Sequence, residues 1–420
     1  MNVYELLDRI IADAATAKGL LGPPVRLVSA HENLQSVLDS TEEGTIVNLQ
    51  GNTFSGPFTM DRTLNLINGT LAAGSTWGLR VLAGSPTLDT MTIAGNANDL
   101  LYLPPSSGHT TVRNSVIRGD ASVGAKRGIQ ANGNGLTVES STITDIFRYG
   151  QESAGIGAWD SPGPFTIRNS VIQAAGMPFL FGGADPSSEA RIPADILIED
   201  NAFSKKPEWR GLGYACKNLG ELKMGKRVVI RNNIFRYSWV EGQTGFGLVL
   251  SVRNQYGNTP WAIIEDVLIS GNIIQDVGTA VSLLGRDYSY PSQVMRNITF
   301  RNNTFDNINK GVYGGRGATY EIHHGPDNLT IEGTVVQNSP LNLYSALFFA
   351  GEEPATNLAV RDNTFIEGSY GINGDGSLPA TALGANTLAT YAPGNVWENN
   401  TVRRSNIRNI TWPAGTVLVG

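Results

Sequence analysis

Several groups on which enzymes and secreted scaffolds commonly rely are scarce in this chain. One cysteine, Cys216, stands among 420 residues, which excludes an intrachain disulfide and any cysteine-rich metal site. No histidine neighbours it in sequence, so it reads as a small core-filling thiol. There are four histidines; His323 and His324 are adjacent, lack a partner at metal-ligand spacing and read as turn or surface residues. Charged residues make up 16% and the formal net charge is −6, which disfavours a general nucleic-acid surface. No apolar run reaches membrane-spanning length, so no membrane insertion is expected. Met1–Lys18 lacks the basic region and continuous apolar core of a secretory signal. Nucleotide loops and nucleophile elbows are missing too, and GGRG at Gly314–Gly317 opens no predicted helix.

Glycine, by contrast, contributes 49 residues, suited to many tight turns and few long helices. Hydrophobic residues make up 41%, too many for a disordered glycine-rich segment. From Leu64 onward one phrase recurs: TVRNSVIRG at Thr111–Gly119, FTIRNSVIQ at Phe165–Gln173, VVIRNNIFR at Val228–Arg236 and ITFRNNTFD at Ile298–Asp306. Its apolar anchors are Leu66, Leu88, Val112, Val138, Ile167, Ile198, Ile230, Ile269, Phe300, Ile331, Val360 and Trp397. Their spacing ranges from 22 to 39 residues. A unit that short cannot bury a face alone, so the copies must stack. Period-2 alternation and β-branched residues select strands over helices. The fold class expected is all-β: a single-stranded right-handed parallel β-helix of about twelve coils, with extra residues leaving as loops.

Three columns support the stack. Asn201, Asn233, Asn272, Asn303, Asn363 and Asn400 fall three residues after their anchors, where amides can bond from coil to coil. Five after the anchors come twelve apolar residues, among them Ile117, Phe203, Phe235, Phe305 and Phe365. A second strand begins with a small residue at Gly128–Ala131, Gly155–Ala158, Gly247–Leu250, Ala280–Leu283, Gly311–Gly314 and Gly371–Gly374. The Asn-x-Ser/Thr triplets at Asn68, Asn297, Asn302, Asn328, Asn399 and Asn409 read as stacking asparagines rather than glycan sites. Residues 1–43 form an expected N-terminal helical capping segment, with Met1–Lys18 and His31–Ser40 as its helical pieces. Residues 44–420 form the solenoid, with elaborated loops at 182–287 and a final strand within Trp412–Val419.

The repeat, together with the opening His31–Phe58 and its GNTFSGPF run, resembles the pectate-lyase-like right-handed parallel β-helix superfamily. That resemblance covers nearly the whole chain. It implies polysaccharide lyases, glycoside hydrolases, uronan epimerases, esterases or phage tailspikes, and an extracellular or periplasmic location. The chain lacks the calcium-binding aspartate cluster of familiar pectate lyases and the paired aspartates of polygalacturonases. Its middle segment, with KNLGELK at Lys217–Lys223, is similar to bacterial β-helix proteins of unassigned activity.

Candidate chemistry concentrates where the repeat is most interrupted. Residues 205–236 carry nine Lys and Arg against Glu208 and Glu221, a balance of 9 − 2 = +7. Trp209, Tyr214, Trp239 and Trp261 lie in or near this stretch. Aromatic faces stack on sugar rings and cations pair with uronate or sulfate groups. The expected partner is therefore an anionic polysaccharide, cleaved by β-elimination, with Lys217 or Lys223 as base, Glu221 nearby and Arg253 clamping the carboxylate. Trp209, Arg210, Tyr214, Trp239, Gln243, Asn254, Trp261, Arg286 and Asp287 are the candidate substrate contacts. Alternatives are a noncatalytic carbohydrate-binding solenoid and a hydrolase or phage-type depolymerase using Glu221 with Glu241 or Asp287. No nucleotide or organic cofactor is expected. Asp185 is the one candidate calcium ligand and has no second carboxylate beside it in sequence. A monomer is expected, or a trimer if the chain is phage-derived.

Overall fold

The computed structural model describes residues 22–420; the helix expected over Met1–Lys18 lies outside them. The strands run in three columns of parallel ladders. All twelve anchors, from Leu66 to Trp397, share one continuous register. The second column stacks Ile93, Ile117, Ile143, Ile172, Phe203, Phe235 and Ile274 in the same way. The third is a 12-stranded sheet running from Phe58–Met60 to Ile372–Gly374, one strand per coil. The protein is a right-handed parallel β-helix, and both predicted apolar columns are buried in its lumen.

The polar pair between the first two columns has two distinct jobs. Its first member is left-handed in every coil: Asn68, Thr90, Asn114, Ser140, Asn169, Asp200, Asn232, Gly271, Asn302, Gly333, Asp362 and Asn399 all have positive φ. Asparagine, aspartate and glycine suit that conformation best, which explains the composition of the column. The second member points inward. The Asn233 amide oxygen accepts from the Asn201 backbone N–H and side-chain amide, both at 3.0 Å. Asn272 does the same for Asn233, at 2.9 and 3.0 Å, and Asn303 for Asn272. Serine hydroxyls continue the ladder toward the N-terminus through Ser170, Ser141 and Ser115. The sequence reading missed that continuation.

Two expectations need correction, and two elements were not expected. Five of the Asn-x-Ser/Thr asparagines are the left-handed, exposed residues rather than the buried stackers; of these, Asn328 bonds Asn297 at the surface, at 2.9 Å. Gly311–Gly314 is no strand: Lys310–Tyr313 is a helical turn capped by the Asn309 side chain, and the coil's third-column strand is Ala318–His323. An unpredicted strand, Val25–Leu27, pairs with Ile46–Asn48. An unpredicted helix, Ala385–Tyr391, packs on Ile372–Gly374 near the C-terminal end. Its Tyr391 ring occupies the space a side chain at Gly374 would need. The expected helix within His31–Ser40 is present as Leu34–Ser40, capped by Asn33, with Leu34, Val37 and Leu38 buried. Val417–Val419 adds the final strand on Thr401–Arg403.

The small residues that open third-column strands mark a tight corner. A side chain at Gly128 would lie 2.6 Å from both the Gly155 carbonyl and Ile143, and at Gly247 equally close to Ala280 and Ile274. Among the described residues no helix is long and apolar enough to cross a membrane. Phe235 stacks on Phe203 with ring centroids 5.0 Å apart, fully buried. Phe235→Ala is expected to cost roughly 3–5 kcal/mol in denaturant unfolding; an unchanged midpoint would refute its lumenal role.

Candidate functional site

The outer face of the third column carries a concavity. Strands Gly220–Leu222, Phe246–Ser251, Thr279–Leu284 and Ala318–His323 lie side by side there, with Glu221, Val249, Ser282 and Glu321 in register. They floor a cleft of about 710 Å³. Lys217, Glu221, Lys223, Gln243 and Arg253, all singled out from sequence, line it. So do Tyr288, Arg316 and Glu321, which were not, and His323, which the sequence reads as a turn or surface residue but which ends the strand Ala318–His323.

At one end Glu221 is buried between two ammonium groups, 3.7 Å from Lys217 and 3.6 Å from Lys223, and accepts from the Asn218 amide at 3.2 Å. Lys217 is itself buried and also meets Glu152 at 3.1 Å. Lys223 is more open and has no closer carboxylate among the described residues. On the next coil, the Arg253 backbone N–H donates to the Lys223 carbonyl at 3.1 Å, and both residues line the cleft. The Arg253 guanidinium lies over the Tyr288 ring and reaches Asp287 only at 3.5 Å. Exposed Arg227, by comparison, is held by Asp195 at 2.7 and 2.9 Å. Arg253 thus keeps donors available for a planar anion.

At the other end Glu321 is buried, 3.2 Å from Arg316 and 3.3 Å from His323 Nε2. A carboxylate beside an imidazole orients the ring and selects its tautomer. The sequence reading missed this trio because it placed the coil's strand at Gly311–Gly314. Period-2 alternation through TYEIH contains the needed signal, since Glu321 and His323 share a face.

Other predicted contacts lie elsewhere. Trp209 and Trp239 are buried with Phe147, Ala175 and Cys216 in a satellite core, against which Tyr214 packs. The Trp239 indole N–H donates to Glu241 at 2.7 Å, and Glu241 also accepts from the Gly211 and Gly213 backbones. Glu241 is therefore a loop anchor, and it does not line the cleft as Glu221 does. Arg210 donates to the Val312 carbonyl. Asn254 is buried, bonding Pro291 and Thr259, and Asp287 holds the Asn254 and Ser289 backbones. Trp261 packs on the main core, and Arg286 stands near Glu353, which is paired with His324. Asp185 anchors the 256–259 loop through Tyr256, Asn258 and Thr259. Among the described residues no three His, Cys, Asp or Glu side chains form a group that could hold a metal.

The +7 segment is likewise redistributed. Lys206, Lys226, Arg227, Arg231 and Arg236 each face a carboxylate from another coil: Asp145, Glu189 and Glu265, Asp195, Glu199 and Asp276. Lys205 is buried, donating to the Gly176 and Asn218 carbonyls at 2.6 and 3.0 Å. Desolvation draws its pKa down to about 7, and burial pushes the neighbouring Cys216 thiol up to about 11.

Two measurements follow. The unfolded chain keeps the Lys205 proton up to its ordinary 10.5 while the folded chain releases it near 7. Between those values the unfolded state binds more protons, so this group makes the unfolding free energy rise with pH. Lys205→Met is expected to flatten that rise in unfolding curves collected across the window, and an identical slope would refute the burial. Trp239→Ala is expected to destabilise by about 3–5 kcal/mol in denaturant unfolding; an unchanged midpoint would refute its place in the satellite core.

No known family model and no curated protein matches the sequence. Solved structures do match in shape. A double mutant of the tailspike protein of E. coli bacteriophage HK620, in complex with a pentasaccharide, aligns with TM-score 0.55 and 11% identity over 97% of this chain and 73% of that one. The Dettilon tailspike protein gp208 aligns with TM-score 0.52 and 13% identity over 83% of this chain and 68% of that one. At such identity the shared property is the fold: this chain has the parallel β-helix architecture of those tailspikes.

Proposed function

We propose that the third-column cleft binds an acidic polysaccharide and cleaves it by β-elimination. The observation that carries this is the adjacency of Lys223 and Arg253 on successive coils, facing one cleft with their donors only loosely engaged. The bound carbohydrate of the HK620 tailspike complex is consistent with a glycan partner for this architecture.

Elimination from a uronate needs three things: neutralisation of the carboxylate, removal of the C5 proton and departure of the C4 oxygen. Arg253 is the carboxylate clamp, its fork matching two oxygens. The ion pairs of Lys217 with Glu152 and Glu221 favour it as a binding group rather than the base, and Lys223 serves as a second cation for the carboxylate. His323, oriented by Glu321, is the base; the C5–H electrons form the C4–C5 double bond as the C4–O pair leaves with the departing sugar. The cleft's two carboxylates, Glu221 and Glu321, stand three strand steps apart, ~14 Å at β-sheet spacing. Paired hydrolytic carboxylates stand no more than about 9.5 Å apart, so inverting or retaining hydrolysis fits poorly.

A panel of polyuronates and sulfated glycans tests the reading. Ultraviolet absorbance from an unsaturated product is expected. Reducing ends without that absorbance would mean hydrolysis, and binding without either a noncatalytic module. Arg253→Ala and His323→Ala are expected to lower turnover by at least about a hundredfold with little change in melting temperature. Full activity in both would remove this site.

A further inference from the structure

The geometry points to a second, distal sugar subsite beside Trp159, continuous with the cleft and serving the same acidic glycan chain; it rests on the function proposed above. The site is a pocket of about 370 Å³ on the outer face of the third column, toward the N-terminal end. Ala154, Met177 and Leu180 line it as apolar residues, while Trp159, Lys126 and Arg127 supply the recognition chemistry.

Three features make this a built platform. First, Trp159 follows the strand Ala154–Ala158, and its backbone N–H is tied to the Asn132 side chain at 3.0 Å. Gly157 lies directly beneath its ring: a β-carbon there would sit only 3.3 Å from the indole. Even an alanine at 157 would press on the ring and shift it by a few tenths of an ångström. Second, the Arg127 guanidinium lies 5.6 Å from the Trp159 ring centroid and is held by Asp99 at 2.5 Å. Third, Lys126 lines the same pocket and has no ion-pair partner among the described residues. An aromatic face beside cations suits a uronate ring, whose C–H face stacks while its carboxylate meets the ammonium.

Continuity with the cleft supplies the occupant. Leu180 of the pocket is the direct register partner of Glu221 of the cleft. Glu152 lines the pocket and contacts Lys217, which lines the cleft, at 3.1 Å. Gly157, Leu180 and Glu221 occupy one column, so the indole stands about two strand steps, ~10 Å, from Glu221. An extended chain lying in the cleft and continuing along the solenoid axis reaches Trp159 without bending. Binding gained there acts at a distance from the reacting bond, and short chains cannot use it.

The test measures affinity and turnover for polygalacturonate and polymannuronate oligomers of increasing length. Wild type, Trp159→Ala, Trp159→Phe and Arg253→Ala are compared. Wild-type affinity is expected to rise with length once the chain outgrows the cleft. Trp159→Ala should lose that rise, about tenfold for the longest oligomers, with Trp159→Phe recovering part of it. Short oligomers should bind Trp159→Ala within about twofold of wild type, whereas Arg253→Ala weakens every length. Length-independent binding by wild type, or a full length gain in Trp159→Ala while Arg253→Ala is impaired, overturns the subsite and leaves the cleft standing. Absence of any polyuronate binding by wild type overturns both.

Discussion

Everything in this molecule depends on the buried turn ladder that keeps successive coils in register. A left-handed residue bends the chain between the first two columns, and the next residue sends its amide or hydroxyl inward to the coil beside it. An amide buried in the lumen costs free energy unless its donors and acceptor are used. Stacking satisfies the Asn233 side chain through the coils on both sides, with Asn272 accepting from it and its oxygen accepting from Asn201. Sliding one coil by a residue would break those bonds and turn the apolar columns outward. Register is therefore held by polar geometry and hydrophobic burial together.

That constraint decides where variation is allowed. Coils whose core strands must coincide can differ only in the segments between strands, so insertions gather as loops at the corners. The long coil between Ile230 and Ile269 contributes Gln243, on the loop before its third-column strand, and Arg253, on the loop after it. The Asp185 carboxylate pins the 256–259 part of that second loop. The sheet supplies a rigid floor with side chains at strand spacing, and the loops supply walls. A surface built this way suits a repeating polymer, because subsites recur at the interval of the scaffold itself.

The same winding reorganises charge. A run of nine cations in sequence looks like a basic patch, yet coils place most of them beside carboxylates thirty or more residues away, such as Arg231 with Glu199 and Arg236 with Asp276. One of them, Lys205, leaves the surface entirely. Exposed pairs of this kind contribute little to stability individually, but they cancel the local field that the linear count implied. What remains at the cleft is a small set of cations, each with a distinct degree of commitment: Lys217 enclosed, Lys223 and Arg253 available, Arg316 paired with Glu321.

The amino-acid sequence by itself determined the solenoid, its coil number, both lumenal columns and the asparagine ladder, because each is a local pattern repeated at strand period. It also located the Lys217–Arg253 end of the cleft, through the break in repeat length. Tertiary structure alone decided the rest. Trp209 and Trp239 turned out to be core residues because a loop can fold its aromatics onto itself as readily as toward a ligand, and composition does not distinguish the two. Glu321 and His323 joined the cleft because Ala318–His323, rather than Gly311–Gly314, supplies the strand, a choice made by the Asn309 cap and the turn at Gly314. Trp159 stands over Gly157 by strand alternation, but its continuity with the cleft comes from the Leu180–Glu221 register. Leu180 and Glu221 lie 221 − 180 = 41 residues apart in sequence, and only the stacking of coils brings them together.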